Sequence, residues 1–313
     1  MPETVALDDV RAARETIGSD LHRTPVFSSA TLGPRVFLKA ELFQRTGSFK
    51  PRGVLNKLRS LGEEERARGV IGVSAGNHAQ ALAYCARLEG LDALLVMWKT
   101  ASPAKIEATR GYGAEVDLQA AGPETVFDRL EELHEQTGRT FVHPFDDPFV
   151  IAGQGTVGLE IGEDVPDVDV VVVPVGGGGL IAGIATALPD ARIVGVEPQG
   201  SNALSAALEA GHSVPVEPRS IADGLNAPFA GELPVQIAVA RGIEIVLVEE
   251  EEIEAGMRFV YERAKLACEP AGAAGVAALL AGKVALGAGR TVVAVVSGGN
   301  VSGETAAAIL AQL

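Results

Sequence analysis

Of the residues able to do covalent chemistry, Lys50 has the most telling setting, within Gln44-Arg45-Thr46-Gly47-Ser48-Phe49-Lys50-Pro51-Arg52-Gly53. The apolar stretch Val36 to Leu42 predicts a strand, Gly47 a turn, and the periodic segment Ser48 to Leu61 a helix. Lys50 then falls in the first helical turn, with Ser48 as N-cap and Pro51 where no intrahelical N–H bond is lost. The positive end of a helix dipole disfavours an ammonium there. An amine so placed, beside Phe49, can trap a carbonyl; equally it is one more solvated charge at a helix start, and the motif alone leaves the two readings level.

Three more turns follow predicted strands and open helices. Ser74-Ala75-Gly76-Asn77-His78 presents successive backbone N–H groups, an anion site of carboxylate size or an ordinary capped helix start. Val175-Gly176-Gly177-Gly178-Gly179-Leu180 follows the most apolar strand, and glycines between a buried strand and a helix favour a phosphate over a loose surface turn. Ser297-Gly298-Gly299-Asn300 is the third. Gly177, Gly179 and Ala182 also fit the G-x-G-x-x-A dinucleotide fingerprint, with Glu197 ending the next strand where a ribose would be held. Taken alone, that pattern predicts an NAD-dependent dehydrogenase. It leaves Lys50, the Ser74 turn and Ser297 idle, whereas pyridoxal 5'-phosphate needs an amine, a phosphate cup, a partner for its ring nitrogen and a substrate carboxylate site, and would use all of them.

The elements that must position these residues form a regular alternation. Leu7 to Ile17 predicts a helix ended by Gly18, and the first strands follow His22-Arg23-Thr24-Pro25. Strands are predicted at Val70 to Val73, Ala93 to Trp98, Ala114 to Leu118 and Thr140 to His143, with helices at Asn77 to Leu88, Ser102 to Arg110 and Pro123 to Gln136. A second series begins after His143-Pro144-Phe145-Asp146-Asp147-Pro148. It comprises a helix from Ile151, strands at Val168 to Val175 and Arg192 to Val196 around a helix from Leu180, and later strands at Glu244 to Val248 and Thr291 to Val296. The fold class is therefore α/β, with two open, mainly parallel sheets flanked by helices. A large domain is expected from residues 1–68 plus 147–313, with a small α/β domain, 69–146, inserted. The acidic run Glu249 to Glu252 reads as a solvated helix start.

Composition narrows the partners. The chain has 313 residues and a formal net charge of −15, from 26 Lys+Arg against 41 Asp+Glu, which disfavours a nucleic-acid backbone or an anionic membrane. An anionic ligand must then be held by local backbone donors. Aromatics are 4%, and the Ala, Val and Gly that dominate suit close helix-on-sheet packing. Cys85 and Cys268 have neither metal nor disulfide spacing, and Met1 to Asp9 is acidic without a long apolar run, so a cytoplasmic protein without a signal peptide is expected. Val168 to Leu188 is apolar but cut by glycines, which argues against a membrane span.

Thr46 to Gly53, Ser74 to Gln80, His143 to Pro148, the Gly176 to Gly179 run, Glu269-Pro270-Ala271-Gly272-Ala273 and Ser297 to Asn300 together resemble the fold-type II (tryptophan synthase beta-like) pyridoxal phosphate enzymes, in the threonine/serine dehydratase and serine racemase family. The motifs stand in the family's order over nearly the whole chain. The resemblance implies Lys50 as the Schiff-base and catalytic lysine, Phe49 beside the cofactor ring and Asn77 on the ring hydroxyl. It also implies Gly176, Gly177, Gly178, Gly179 and Leu180 on the phosphate, and Ser297 at the pyridine nitrogen. Ser74, Ala75, Gly76 and His78 would receive the substrate carboxylate, and Glu269 would stand near the ring. The implied activity is that of a lyase converting L-threonine and/or L-serine to a 2-oxo acid and ammonia, the alternatives within the family being serine racemase and 3-hydroxyaspartate dehydratase. Racemases carry a serine where this chain has Ala75, and Phe145 also resembles the dehydratases. The resemblance is to the short form without a regulatory domain, and a homodimer is expected. Members that bind a divalent cation use a glutamate at the position of Glu197 and a carboxylate six residues on; that residue is Ala203, so no metal ligand is assigned. Trp98 and Lys99 replace smaller or acidic residues.

Overall fold

The computed structural model describes residues 4–122 and 125–312, so Met1 to Glu3 and the first two residues of the helix expected from Pro123 lie outside the described residues. Ten strands are present among them: β1 Val26–Ser28, β2 Val36–Ala40, β3 Val70–Val73, β4 Ala93–Trp98, β5 Glu115–Ala120, β6 Thr140–Phe141, β7 Val170–Pro174, β8 Arg192–Pro198, β9 Glu244–Val248 and β10 Val292–Val296. They form a six-stranded sheet, β1-β2-β10-β7-β8-β9, and a four-stranded sheet, β5-β4-β3-β6. Only the β1/β2 pair is antiparallel. β2, β7 and β10 are almost wholly buried, as strands covered by helices on both faces must be.

β3, β4 and β9 coincide with their expected spans, and most other boundaries move by one to three residues. β6 is cut short because the His143 ring accepts the N–H groups of Phe145 and Asp146, at 3.3 and 2.8 Å, and turns the chain before Pro144. The lysine helix is a clearer correction: it runs Pro51–Arg59, not from Ser48. Ser48 is extended (φ −158°, ψ 165°) and bridges to Gly298, while its buried hydroxyl has no partner, so it caps nothing. Lys50 itself occupies the N-cap position with helical dihedrals.

The small residues let three helices touch backbone to backbone. A methyl group added to Gly153, in the helix Pro148–Asp164, would come within 2.6 Å of Gly53 Cα, and one added to Gly183, in the helix Gly179–Ala187, within 2.5 Å of Gly155 N. The lysine helix and the helix behind the glycine run are thus seated on one long helix, which fixes their starts relative to each other. The lysine helix is held further by a buried charge network. Arg52 donates to Glu41 at 2.8 and 2.9 Å and to Glu160 at 2.7 and 2.9 Å, and Lys39 donates to Glu160 at 2.6 Å. The helix's apolar face, including Val54, Leu55 and Leu58, shares a core with Leu82, Cys85 and Leu95 of the four-stranded sheet's layer.

Candidate active site

The four turns singled out in the sequence all lie at carboxyl ends of parallel strands, where open α/β sheets place ligands. Phe49, Lys50, Asn77, the run Gly176 to Gly179, Leu180 and Ser297 meet around one narrow inner cavity of about 40 Å³, together with Glu269 and Phe145. Lys50, Asn77, Phe145 and Gly177 also border a wider outer cavity of about 440 Å³, whose wall includes Ser74, Ala75, Gly76 and His78.

The Lys50 amine donates to the Pro144 carbonyl at 2.9 Å and lies 5.1 Å from the centre of the Phe49 ring. Burial brings its pKa down to about 8, against the opposing pull of Glu269. The direction is the one expected of a helix start, but burial is the cause. At neutral pH about a tenth of such amines are uncharged, against a negligible fraction for an exposed lysine.

In the glycine run, Gly178 needs its positive φ of 91° to turn into the helix, whose first intrahelical bond is Ala182 N–H to Gly178 O at 3.0 Å. The N–H groups of Gly179, Leu180 and Ile181 precede it and have no intrahelical acceptor. Gly177 lies flat against the Phe145 ring, so that any side chain there would overlap it. Asn77 donates to Glu269 Oε1 at 2.7 Å and accepts from Asn300 at 2.8 Å. Ser297 is 3% exposed, and its carbonyl accepts the Phe49 N–H at 3.2 Å. Glu269, 2% exposed, has an oxygen, Oε2, with no partner. Burial first, then the Asp223 charge, raises its pKa to about 7.

At the outer cavity, Ser74 Oγ accepts the Gly76 N–H at 3.0 Å. The His78 ring is bound to the Val142 carbonyl at 3.0 Å, and burial and then the Lys50 charge push it down to about 3, so it stays neutral. Trp98 borders this cavity while Lys99 is exposed. Glu197 is far from idle: its two oxygens accept the N–H groups of Leu204 and Ser205 at 2.7 and 2.9 Å, capping the helix Ala203–Ala210, with a pKa raised by burial to about 7. It is 0% exposed and turned onto that helix start, so it presents no open face to a ribose, which removes the feature that supported a dinucleotide.

Several wall residues had no signal as site residues. Pro144 stood in a noted motif without a role, and Phe145 served only to mark the dehydratase form of that motif. Lys105 and Asp223 form an ion pair beside the outer cavity, linking the helix Pro103–Gly111 to the turn Asp223–Leu225, 118 residues apart in sequence. Only chain folding reveals such a pair.

Pyridoxal phosphate fits what is present. The amine, the unpaired N–H groups of a helix start, a cleared glycine wall, a hydroxyl, an amide and the Glu269 carboxyl group, one oxygen of which has no partner, belong to residues that border one cavity. Independent comparisons agree. The family model described as pyridoxal-phosphate dependent enzyme matches residues 17–298. An L-threonine ammonia-lyase of Thermotoga maritima is 44% identical over 306 residues, covering 95% of this chain and 76% of that protein. The structure of maize serine racemase superposes with a TM-score of 0.92 at 35% identity, over 96% of this chain and 95% of that one. The crystal structure of a threonine deaminase from T.th. gives 0.87 at 39% identity, over 95% and 99%.

Proposed function

Because the chain belongs to the family of pyridoxal-phosphate dependent enzymes, we propose that it is a lyase that converts L-threonine, L-serine or both to a 2-oxo acid and ammonia. The observation that carries this reading is the Lys50 amine, lowered to about 8 by burial, in the wall shared by a glycine-lined inner cavity and a roomier outer one. One side suits the cofactor and the other an amino acid.

When bound, pyridoxal phosphate supplies an aldehyde for the substrate amine and a conjugated ring that takes up the electron pair left at Cα. Lys50 would hold the aldehyde, and its amine would take the Cα proton as base. The N–H groups of Gly176 to Gly179 and Leu180 would hold the phosphate, Asn77 the ring hydroxyl, and Phe49 would stand beside the ring. Ser297 would offer the pyridine nitrogen a neutral hydroxyl rather than a carboxylate, which leaves the ring nitrogen unprotonated and suits loss of the β-hydroxyl. Backbone N–H groups of Ser74, Ala75, Gly76 and His78 orient the substrate carboxylate. Ala75 offers no proton on the face opposite Lys50, which favours elimination over racemisation.

The division into residues 1–68 plus 147–313 and an inserted 69–146 belongs to the same reading, as do a homodimer and a cytoplasmic setting; light scattering tests the dimer. No helix among the described residues is long and apolar enough to cross a membrane. The test of function is a panel of L-threonine, L-serine and 3-hydroxyaspartate scored for 2-oxo acid release. Release from threonine or serine is expected; release from 3-hydroxyaspartate alone would overturn the proposal.

A further inference from the structure

Glu269 precedes the helix Pro270–Leu280 at its N-cap, where an acidic side chain ordinarily accepts the helix's own first N–H groups. It does not. Its backbone N–H is bound to Gly298 O at 3.1 Å, and its side chain turns into the inner cavity to take the Asn77 amide on Oε1, leaving Oε2 buried and unpartnered. Space beside it is cleared by Gly298, where an added methyl would overlap Oε1. A buried carboxylate oxygen without a partner is costly unless a ligand meets it or it carries a proton.

We propose that Glu269 is a further catalytic residue, the acid–base partner of the cofactor's phenolic oxygen, acting together with Asn77. The proposal rests on the assignment of this cavity to pyridoxal phosphate. In the protonated carboxyl the O–H at Oε2 breaks as an O–H forms on the phenolate, and the reverse transfer restores it; no electrons change hands. Several charged groups face Glu269. Burial and then Asp223, from the turn Asp223–Leu225, favour the protonated carboxyl, whereas the Asn77 amide, Lys105 from the helix Pro103–Gly111, and the Asn300 backbone N–H oppose that. Lys50 faces it across the cavity, Cys268 adjoins it with a thiol that burial keeps neutral, and the buried rings of His78 and His143 near Lys50 are also neutral. Its half-titration at about 7 agrees with this role.

Glu269→Gln preserves an acceptor for Asn77 and removes only the titration, which separates proton transfer from a purely structural bond. Two readouts are independent of turnover. In the protein loaded with pyridoxal phosphate, the visible spectrum is followed from about pH 6 to 9, where a group of this pKa titrates. The parent and Glu269→Asp should show a pH-dependent band shift that Glu269→Gln lacks. In the cofactor-free protein, the Lys50 amine, followed by reductive methylation and NMR, should titrate at lower pH in Glu269→Gln, because the anion that raises it is gone. Unchanged spectral and amine titrations in Glu269→Gln would overturn the proposal. So would a parent spectrum flat over that range, which decides the matter even if the variant does not fold. Borohydride labelling checks the underlying assignment separately: a parent whose Lys50 takes no label loses both claims, whereas label with an unaltered pH profile in Glu269→Gln sinks the Glu269 role alone.

Discussion

Replacing Arg52 by Met should reveal how firmly the lysine helix is anchored. Arg52 is 2% exposed and grips two carboxylates, Glu41 and Glu160, that are themselves 0% and 9% exposed. Four of its N–H···O contacts to them lie between 2.7 and 2.9 Å, with a further bond to Thr156 at 3.2 Å. With Lys39 the network holds two cations against two anions. The Met variant therefore buries one uncompensated negative charge, which costs about 3–5 kcal/mol. For a chain of this length that is roughly 5–8 °C in Tm. The sign with pH is also fixed. Burial alone would raise Glu160, but Arg52 and Lys39 outweigh it and hold the carboxyl below its usual range. A depressed folded-state pKa gives stability that is present above the unfolded value and lost as pH falls through the folded one. The variant loses this margin, so its acid unfolding should begin at higher pH than the parent's. Urea melts at several pH values provide the assay. A variant within about 1 kcal/mol of the parent at neutral pH, with an unmoved acid transition, would refute the reasoning.

Three further perturbations test the cavity. Gly177→Ala drives a methyl into the Phe145 ring, an overpacking of about 1–3 kcal/mol, and should weaken cofactor binding by roughly 10- to 100-fold, read by fluorescence titration; undiminished affinity would mean the phosphate is held elsewhere. Ser297→Asp places an anion beside the ring nitrogen and should slow 2-oxo acid release at equal cofactor occupancy; an unchanged rate removes Ser297 from that role. Ala75→Ser supplies the missing proton donor, so chiral analysis of serine recovered part-way through reaction should find D-serine with the variant only, and rapid D-serine formation by the parent would contradict the dehydratase reading.

The chemistry was legible in the sequence where it is local. The Ser74 to His78 turn and the glycine run each sit within a few residues of the strand end that presents them, Lys50 lies in the segment that follows β2, and short apolar runs located β3, β4 and β9. What failed to show had physical causes. Ser48 looks like an N-cap because its neighbours have helical period, yet pairing with Gly298, 250 positions away, pulls it extended. The helix Pro270–Leu280 is buried on nearly every side, so its Ala- and Gly-rich sequence carries no amphipathic period to read. Ala203–Ala210 is short, and its N-terminus is capped by Glu197 from the preceding strand rather than by a neighbour in sequence. The Asn77–Glu269 bond spans 192 positions, and the four partners of the Arg52 network come from separate elements. Local pattern carries no record of either.

The central claim is that Lys50 carries the cofactor for elimination from a hydroxy amino acid. The direct measurement is purified protein supplied with pyridoxal phosphate and L-threonine or L-serine, assayed for 2-oxo acid and ammonia before and after borohydride, with the labelled peptide mapped and Lys50→Ala run alongside. The account predicts equimolar 2-oxo acid and ammonia, loss of activity on reduction, label on the peptide containing Lys50, and a folded Lys50→Ala variant slower by several orders of magnitude. Near-parental turnover by Lys50→Ala, or label on another lysine, would contradict it.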